Sequence, residues 1–306
     1  MSHPSPSLKD KQDVQHVELE KKNRLLEHIF LTINTPIYIY DFERGRLEVL
    51  NRAMPTFLGY PIEQLVNMST DRLRDLLYSQ DVERTLEHYQ RCRQATDGEI
   101  LETEYRFRHA YGEWHWIAVR ETPFERSPDG KVSKILGVAE DITSGRLAEE
   151  RVAYLRTHDP LTGLYNRSYY YEELARLERG RRFPVTIILA DIDGLKKVNQ
   201  TRGFQTGDAL IRSAAELLKS CFRTEDIVAR IGGDKFAILL PEMAAISADA
   251  LLLRIQRKLD LYNATHPQTT LHLSLGIATA ESNQELRSAI IEAEHRLEEH
   301  RASKQN

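Results

Sequence analysis

Residues 227–240 hold two short apolar runs, Ile227–Ile231 and Lys235–Leu240, with only Gly232-Gly233-Asp234 between them. A gap that short leaves the chain little choice but to reverse, and adjacent glycines supply the backbone angles of a hairpin turn. Upstream, Val185–Ile192 is an unbroken apolar run rich in β-branched residues and of strand length. Thr206–Cys221 has the spacing of an amphipathic helix. After the hairpin, Ser247–Leu261 reads as helix, Leu271–Ile277 as strand and Glu285–His300 as helix. The order β-α-β-β-α-β-α fits a split βαβ sheet with helices on one face. In such a sheet the first strand is central and lies beside the hairpin.

Carboxylates fall where those strands end. Asp191 and Asp193 close the first strand, and Asp234 sits in the turn. Bringing Asp191 beside Asp234 gives the paired oxygens that hold a divalent metal on a triphosphate. A strand-end aspartate next to an ordinary hairpin gives the same pattern, so the residues alone leave both readings open.

The first half has a different rhythm. Residues 1–13 are polar, with prolines and serines, and read as a loose tail. Val14–Ile33 turns helical, with Leu25, Leu26, Ile29 and Phe30 at helix spacing and Pro36 as a stop. Two strands follow, Ile37–Tyr40 and Leu47–Leu50, then short helical pieces through Gln94. Three more strands are expected at Glu102–His109, Glu113–Glu121 and Lys134–Ala139, with turns at Tyr111-Gly112 and Ser127–Gly130. Between the halves, Arg146–Arg156 is a charged helix. Its Ala148, Val152 and Leu155 form either a short coiled-coil seam or part of a solvated face.

The 306 residues match two domains at about 150 residues each. A net charge of −4 argues against a duplex-DNA binder, which needs a basic face. No apolar run approaches the roughly 20 residues that span a bilayer, and no secretory signal is visible at the N-terminus. Cys92 and Cys221 are far apart and show no metal-ligand spacing, which points to a reducing compartment, the cytoplasm.

Five strings in the second half carry a specific resemblance. They are His158-Asp-Pro-Leu-Thr-Gly-Leu-Tyr-Asn-Arg167, Asp191-Ile-Asp-Gly-Leu-Lys-Lys-Val-Asn199, Gly203-Phe-Gln-Thr-Gly-Asp208, Arg230-Ile-Gly-Gly-Asp-Lys-Phe236 and Leu273-Ser-Leu-Gly-Ile-Ala278. In order and spacing they resemble the GGDEF family, the diguanylate cyclases. The resemblance implies a domain that binds GTP, pairs with a second copy and condenses two GTP into cyclic di-GMP. It implies that Asp191, the Ile192 carbonyl and Asp234 hold Mg²⁺, and that Asp234 helps to activate the attacking hydroxyl. It also implies that Asn199 and Asp208 read guanine, which suits an amide and a carboxylate, and that Lys196 and Arg301 meet phosphate.

The departures from the family pattern carry as much weight. Lys235 stands where the family has a metal-binding glutamate, so a ligand is lost and a repulsive charge gained. Gln200, Phe204, Glu298 and Gln305 also differ from the family's residues. This drift implies a degenerate domain that binds GTP, cyclic di-GMP or both, with weak or absent cyclase activity. A working cyclase that tolerates Lys235 is the alternative, and a protein-interaction module the second. The family's inhibitory Arg-x-x-Asp site, at which cyclic di-GMP binds, matches Arg223–Asp226, with Arg254 as a possible helper. Arg72–Asp75 and Arg257–Asp260 fit the same string, so only position favours Arg223.

The first half resembles a PAS domain through Asn51-Arg-Ala, Leu58-Gly-Tyr60, Ser79-Gln-Asp81, Glu104–Arg108, Trp116-Ile117 and Gly137–Thr143. PAS domains bind haem, flavin or metabolites, or only pair, and the ligand here is unknown. His88 falls on the helix that carries the ligand in haem-binding relatives, and reads first as structural. Trp114 and Trp116 are expected on opposite sides of one strand, with Trp116 in the core. The reading is therefore α+β throughout: an N-terminal tail and helix (1–25), a PAS sensor (26–143), a signalling-helix linker (144–157) and a GGDEF domain (158–306). A cytoplasmic homodimer is expected, with a protein partner possible, no DNA and no transmembrane segment.

Overall fold

The computed structural model describes residues 8–243 and 248–304. Helix α1 (Leu8–Thr32) begins inside the stretch read as a loose tail, because residues 8–13 contain no proline or glycine to break it. Residues 1–7 of that tail, Ser247 and the terminal Gln305 and Asn306 lie outside the described residues.

The chain divides into two compact units, Met1–Glu149 and Glu150–Asn306. In the first, β1 (Ile37–Asp41) and β2 (Arg46–Leu50) precede three short helices, α2 (Ala53–Leu58), α3 (Ile62–Val66) and α4 (Thr70–Asp75). Helix α5 (Val82–Gln94) is followed by β3 (Leu101–Arg108), β4 (Trp114–Arg126) and β5 (Val132–Asp141). The strands form an antiparallel sheet in the order β2-β1-β5-β4-β3. Its inner face buries Tyr38, Tyr40, Ile117, Val119 and Ile135 against Met54, Leu58, Leu65 and Cys92 of the helical side. Each fully buried aliphatic side chain there contributes roughly 1.5–3 kcal/mol.

The two tryptophans correct the expectation. Residues two apart on a strand share a face, and Ile117, Val119 and Glu121 take the inner one. Trp114 and Trp116 therefore both point outward. Trp114 packs edge-on to Tyr78, and Trp116 is half-buried beneath the guanidinium of Arg106 at 4.8 Å. Arg106 is held in turn by Asp81, at 2.8 and 3.0 Å.

Helix α6 (Thr143–Thr157) has no buried residue, so Ala148, Val152 and Leu155 all face solvent. The second unit opens with α7 (Arg167–Arg179), which the sequence pattern had not marked. There follow β6 (Val185–Ile192), α8 (Leu195–Arg202), α9 (Phe204–Ser220), β7 (Ile227–Arg230), β8 (Lys235–Pro241), α10 (Ala248–Thr265), β9 (Leu273–Ala280) and α11 (Leu286–Ser303). The helix expected at Thr206–Cys221 is α9, while α8 before it was not marked; Gly203, whose φ of 82° is left-handed, parts the two.

The sheet order is β7-β8-β6-β9, all antiparallel neighbours, with β6 central and beside the hairpin. Helices cover both faces rather than the single face expected. Ile188, Ala190 and Ile192 pack with Leu210, Ala214, Leu218 and Ile255 of α9 and α10. Val185, Ile187 and Leu189 pack with Leu174 and Leu177 of α7 and with Ala289, Ala293 and Leu297 of α11. Every residue of β6 is buried, which is what an unbroken apolar run requires.

Candidate functional site

The end of β6 organises the site. Ile192 N donates to Asp234 O at 3.0 Å, which draws the hairpin turn against the strand end. Asp191 lies in register with Lys235. Its side chain is 2% exposed, Oδ1 has no hydrogen-bond partner, and Oδ2 is 3.5 Å from Arg301 Nη1. Burial, with the Asp234 charge second, pushes the Asp191 carboxyl above its ordinary value; Arg301 and Lys235 oppose that only in part.

The turn itself is fastened from below. Arg230 donates to Gly232 O at 3.1 Å and to Gly233 O at 2.8 Å, and its guanidinium pairs with Asp159 at 3.1 Å. Asp159 also accepts from Thr162 N and Oγ1. The 158–167 string therefore acts as a brace for the hairpin, a role that pattern reading had not assigned. The extreme sequence separation of Arg230 and Asp159 hid it.

Helix α11 supplies cations to the strand ends. Gly276 of β9 allows this helix to sit close: a Cβ there would meet Ala293 O at 2.0 Å and Leu297 N at 2.5 Å. Its last turn brings Arg301 to Asp191, and Lys304 just beyond it reaches Asp193 at 3.2 Å. Asp193 also accepts from Ser274 Oγ at 2.7 Å. Lys304 lies outside the five strings, so nothing in the sequence marked it.

The other end of the site lies on α8 and α9. Lys196 is exposed in the first turn of α8. One turn on, Asn199 rests against Gly207 so closely that a Cβ there would lie 1.8 Å from Asn199 Oδ1. That oxygen is buried without a partner. Asp208, half-buried, follows Gly207 in the first turns of α9. A helix contact that only glycine permits thus sets Asn199 against Gly207, the residue before Asp208.

Lys235, first residue of β8, is exposed, and its ammonium makes no hydrogen bond or ion pair among the described residues. As a donor set for Mg²⁺ this strand end offers two carboxylates, Asp191 and Asp234, with the Lys235 cation next in the chain. The unpartnered Asp191 Oδ1 fits one metal bond; Lys235 does not.

The Arg223 region is arranged differently. Asp226 accepts from Arg223 N at 2.8 Å and so shapes the α9–β7 turn. The Arg223 guanidinium is exposed and lies 3.8 Å from Glu225, not against Asp226. Arg254 is exposed and sits over the Phe222 ring at 5.7 Å. Asp226 lines a cavity of about 310 Å³ together with Tyr165, Tyr169, Arg176 and Arg182, and neither Arg223 nor Arg254 faces it.

In the first unit a cavity of about 380 Å³ is lined by Tyr38, Tyr40, Met54, Phe57, Tyr89 and Ile117 among others. His88 is buried outside that lining and bonded to Glu121 at 2.6 Å, which leaves it badly placed to ligate a haem in the cavity.

Comparison with known proteins agrees with this architecture. The family model described as diguanylate cyclase, GGDEF domain matches residues 156–306, and the one described as PAS fold matches 48–139. The uncharacterized protein y4lL of Sinorhizobium fredii is 32% identical over 214 residues, 65% of this chain and 26% of that protein. The probable diguanylate cyclase DgcC of Escherichia coli is 34% identical over 143 residues, 44% of this chain and 38% of that protein. The chain thus spans well under half the length of these relatives. Among solved structures, the coiled coil and GGDEF domain of DgcB from Caulobacter crescentus, in complex with c-di-GMP, aligns with a TM-score of 0.44 at 27% identity, over 53% of this chain and 88% of that one.

Fold and family models together define a PAS-fold domain followed by a GGDEF domain. The output domain belongs to the GGDEF, diguanylate cyclase, family, and the sensor has the PAS fold.

Proposed function

We propose that this chain is a cyclic di-GMP signalling protein whose GGDEF domain binds guanine nucleotide and has weak or no cyclase activity. The observation that carries the reading is Lys235 in register with the buried Asp191 carboxylate, whose Oδ1 has no partner. At about 4 Å, an ammonium and a divalent ion repel by about 2 kcal/mol in water and about 8 kcal/mol at an effective dielectric of 20. Lys235 is exposed, so the lower figure applies, and even that weakens metal binding roughly 30-fold beyond the loss of a ligand.

Nucleotide binding survives that loss because its other parts remain. Asn199 and Asp208 present an amide and a carboxylate to the guanine edge. Lys196, Lys235, Arg301 and Lys304 supply positive charge for the phosphates. Mg²⁺, when bound to GTP, would rest on Asp191 and Asp234, with the Ile192 carbonyl beside them, and neutralise the phosphates. Asp234 alone then lacks the second acidic neighbour that would help draw the proton from an attacking hydroxyl.

Cyclic di-GMP itself is the second candidate ligand, at Arg223, Asp226 and Arg254. The exposed guanidinium of Arg223 is free to turn onto guanine or phosphate from its weak contact with Glu225. The exposed stripe Ala148, Val152 and Leu155 on α6 fits a second copy of the chain in a parallel pair. No described helix is long and apolar enough to cross a membrane, and we place the protein in the cytoplasm.

Calorimetric titration with GTP and with cyclic di-GMP tests this. Binding of GTP lost in Asn199→Ala, and of cyclic di-GMP lost in Arg223→Ala, supports the two sites. A chain that binds neither nucleotide is an interaction module instead.

A further inference from the structure

The strongest unassigned chemistry lies in the core of the PAS domain. His88 and Cys92 are four residues apart on α5, one above the other on the face turned to the sheet. Glu121 comes to them from β4, on the inner face that also carries Ile117 and Val119. All three are buried; the Cys92 and Glu121 side chains are sealed from solvent and His88 is 3% exposed.

The donor atoms converge. His88 Nε2 lies 2.6 Å from Glu121 Oε2 and 3.4 Å from Cys92 Sγ, and Cys92 Sγ lies 3.7 Å from Glu121 Oε2. A triangle with those sides has a point about 1.9 Å from all three atoms, just inside zinc–nitrogen and zinc–sulfur bond lengths of about 2.0–2.3 Å. An ion slightly out of the plane reaches all three, with His88 and Glu121 parting from 2.6 Å toward the roughly 3.3 Å that tetrahedral angles require.

Charge favours an ion there as well. Glu121 is a carboxylate in an apolar core, and among the described residues its one basic partner is His88. Its other oxygen accepts from Tyr38 Oη at 2.5 Å. A buried carboxylate is costly unless a positive charge stands beside it. Tyr38 also lines the apolar cavity, so its ring stands between that cavity and the cluster.

We propose that His88, Cys92 and Glu121 form a binding site for a first-row transition metal ion, zinc by preference, inside the PAS domain. The thiolate, imidazole and carboxylate together select a borderline ion over Mg²⁺ or Ca²⁺, which take oxygen alone. Three protein ligands leave the fourth tetrahedral position open, as in sites where the metal meets an exogenous molecule. Tyr38 holds the carboxylate from behind. A metal, or a small ligand seated on it, becomes the input that the sensor domain reads. This does not depend on the nucleotide reading of the GGDEF domain.

The test is a titration of the chelator-stripped full chain with Co²⁺, followed by absorbance. One equivalent per chain should give a thiolate-to-cobalt charge-transfer band in the near ultraviolet, bleached by an equivalent of Zn²⁺. Cys92→Ser should abolish the band, Glu121→Gln should weaken binding by at least 100-fold, and Tyr38→Phe by roughly 10–100-fold as an outer-shell change. Cys221→Ser, in the other domain, should leave the band intact. Far-ultraviolet dichroism confirms that each variant is folded. No band in the unaltered chain overturns the proposal without any variant, and so does a band that survives Cys92→Ser or vanishes with Cys221→Ser.

Discussion

Gly207→Ala isolates the proposed guanine-reading end of the site without replacing a polar residue. The new methyl would lie 1.8 Å from Asn199 Oδ1 and 2.9 Å from its Cγ. The first contact is at least about 1.5 Å too short for ordinary packing, so the amide must swing to another rotamer. The backbone has no objection: Gly207 is helical, and alanine gains about 1 kcal/mol there through helix propensity. The fold should therefore be as stable as before or slightly more so. Losing the Asn199 contact to guanine costs about 1–3 kcal/mol, a roughly 5- to 150-fold rise in Kd for GTP. Calorimetry reads the affinity and a thermal melt reads the stability. In an Asn199→Ala background the same substitution should change affinity little, since the cycle then has no amide to displace. Unaltered GTP affinity in Gly207→Ala, or a full further loss in the Asn199→Ala background, would refute the reasoning.

Two further outcomes follow from the charges. Asp191 has its carboxyl raised by burial and by Asp234, so the folded state holds its proton more readily than the unfolded chain. Its ionised form therefore costs stability at neutral pH, and stability recovers as pH falls through its raised value. Asp191→Asn should raise the melting midpoint of the nucleotide-free protein at pH 7, and the gain should shrink in acid, while affinity for Mg²⁺-GTP falls. Asp81 behaves oppositely: its hydrogen bonds to Arg106 hold it below the ordinary carboxylate range. Its contribution is present above that range and lost as pH falls through the lowered value. Asp81→Asn should cost about 1.5–3 kcal/mol and lower the PAS unfolding transition by roughly 5–15 °C. The gap to the unaltered protein should narrow in strong acid.

Much of this was legible because the constraints are local. Two apolar runs three residues apart point to a hairpin, which marks β7 and β8; the unbroken run Val185–Ile192 marks β6, and the Asp191–Asp234 approach was one of two readings left open. The carboxylates proposed to hold metal and the Asn199–Asp208 pair proposed to read guanine were named from their resemblance to the family's strings. Other features depend on partners distant in sequence. Arg230 bracing the turn through Asp159, and Lys304 reaching Asp193, join residues that no periodicity links. The covering of both faces was in principle readable: a run with no polar alternation has no face to give to water. The tryptophans were misjudged by parity alone. His88 and Cys92 stand at helical i, i+4 spacing, but Glu121 joins them only once the sheet has folded. A cysteine count without that spacing in view pointed away from metal.

The most direct measurement is the product formed from GTP by the purified chain with Mg²⁺ and with Mn²⁺, resolved by chromatography beside Lys235→Glu. If Lys235 silences the metal seat, the unaltered chain gives no more than a trace of cyclic di-GMP, and Lys235→Glu, which restores the third carboxylate, makes it readily. Robust cyclic di-GMP from the unaltered chain would contradict the account, because Asp191 and Asp234 would then suffice with an ammonium beside them.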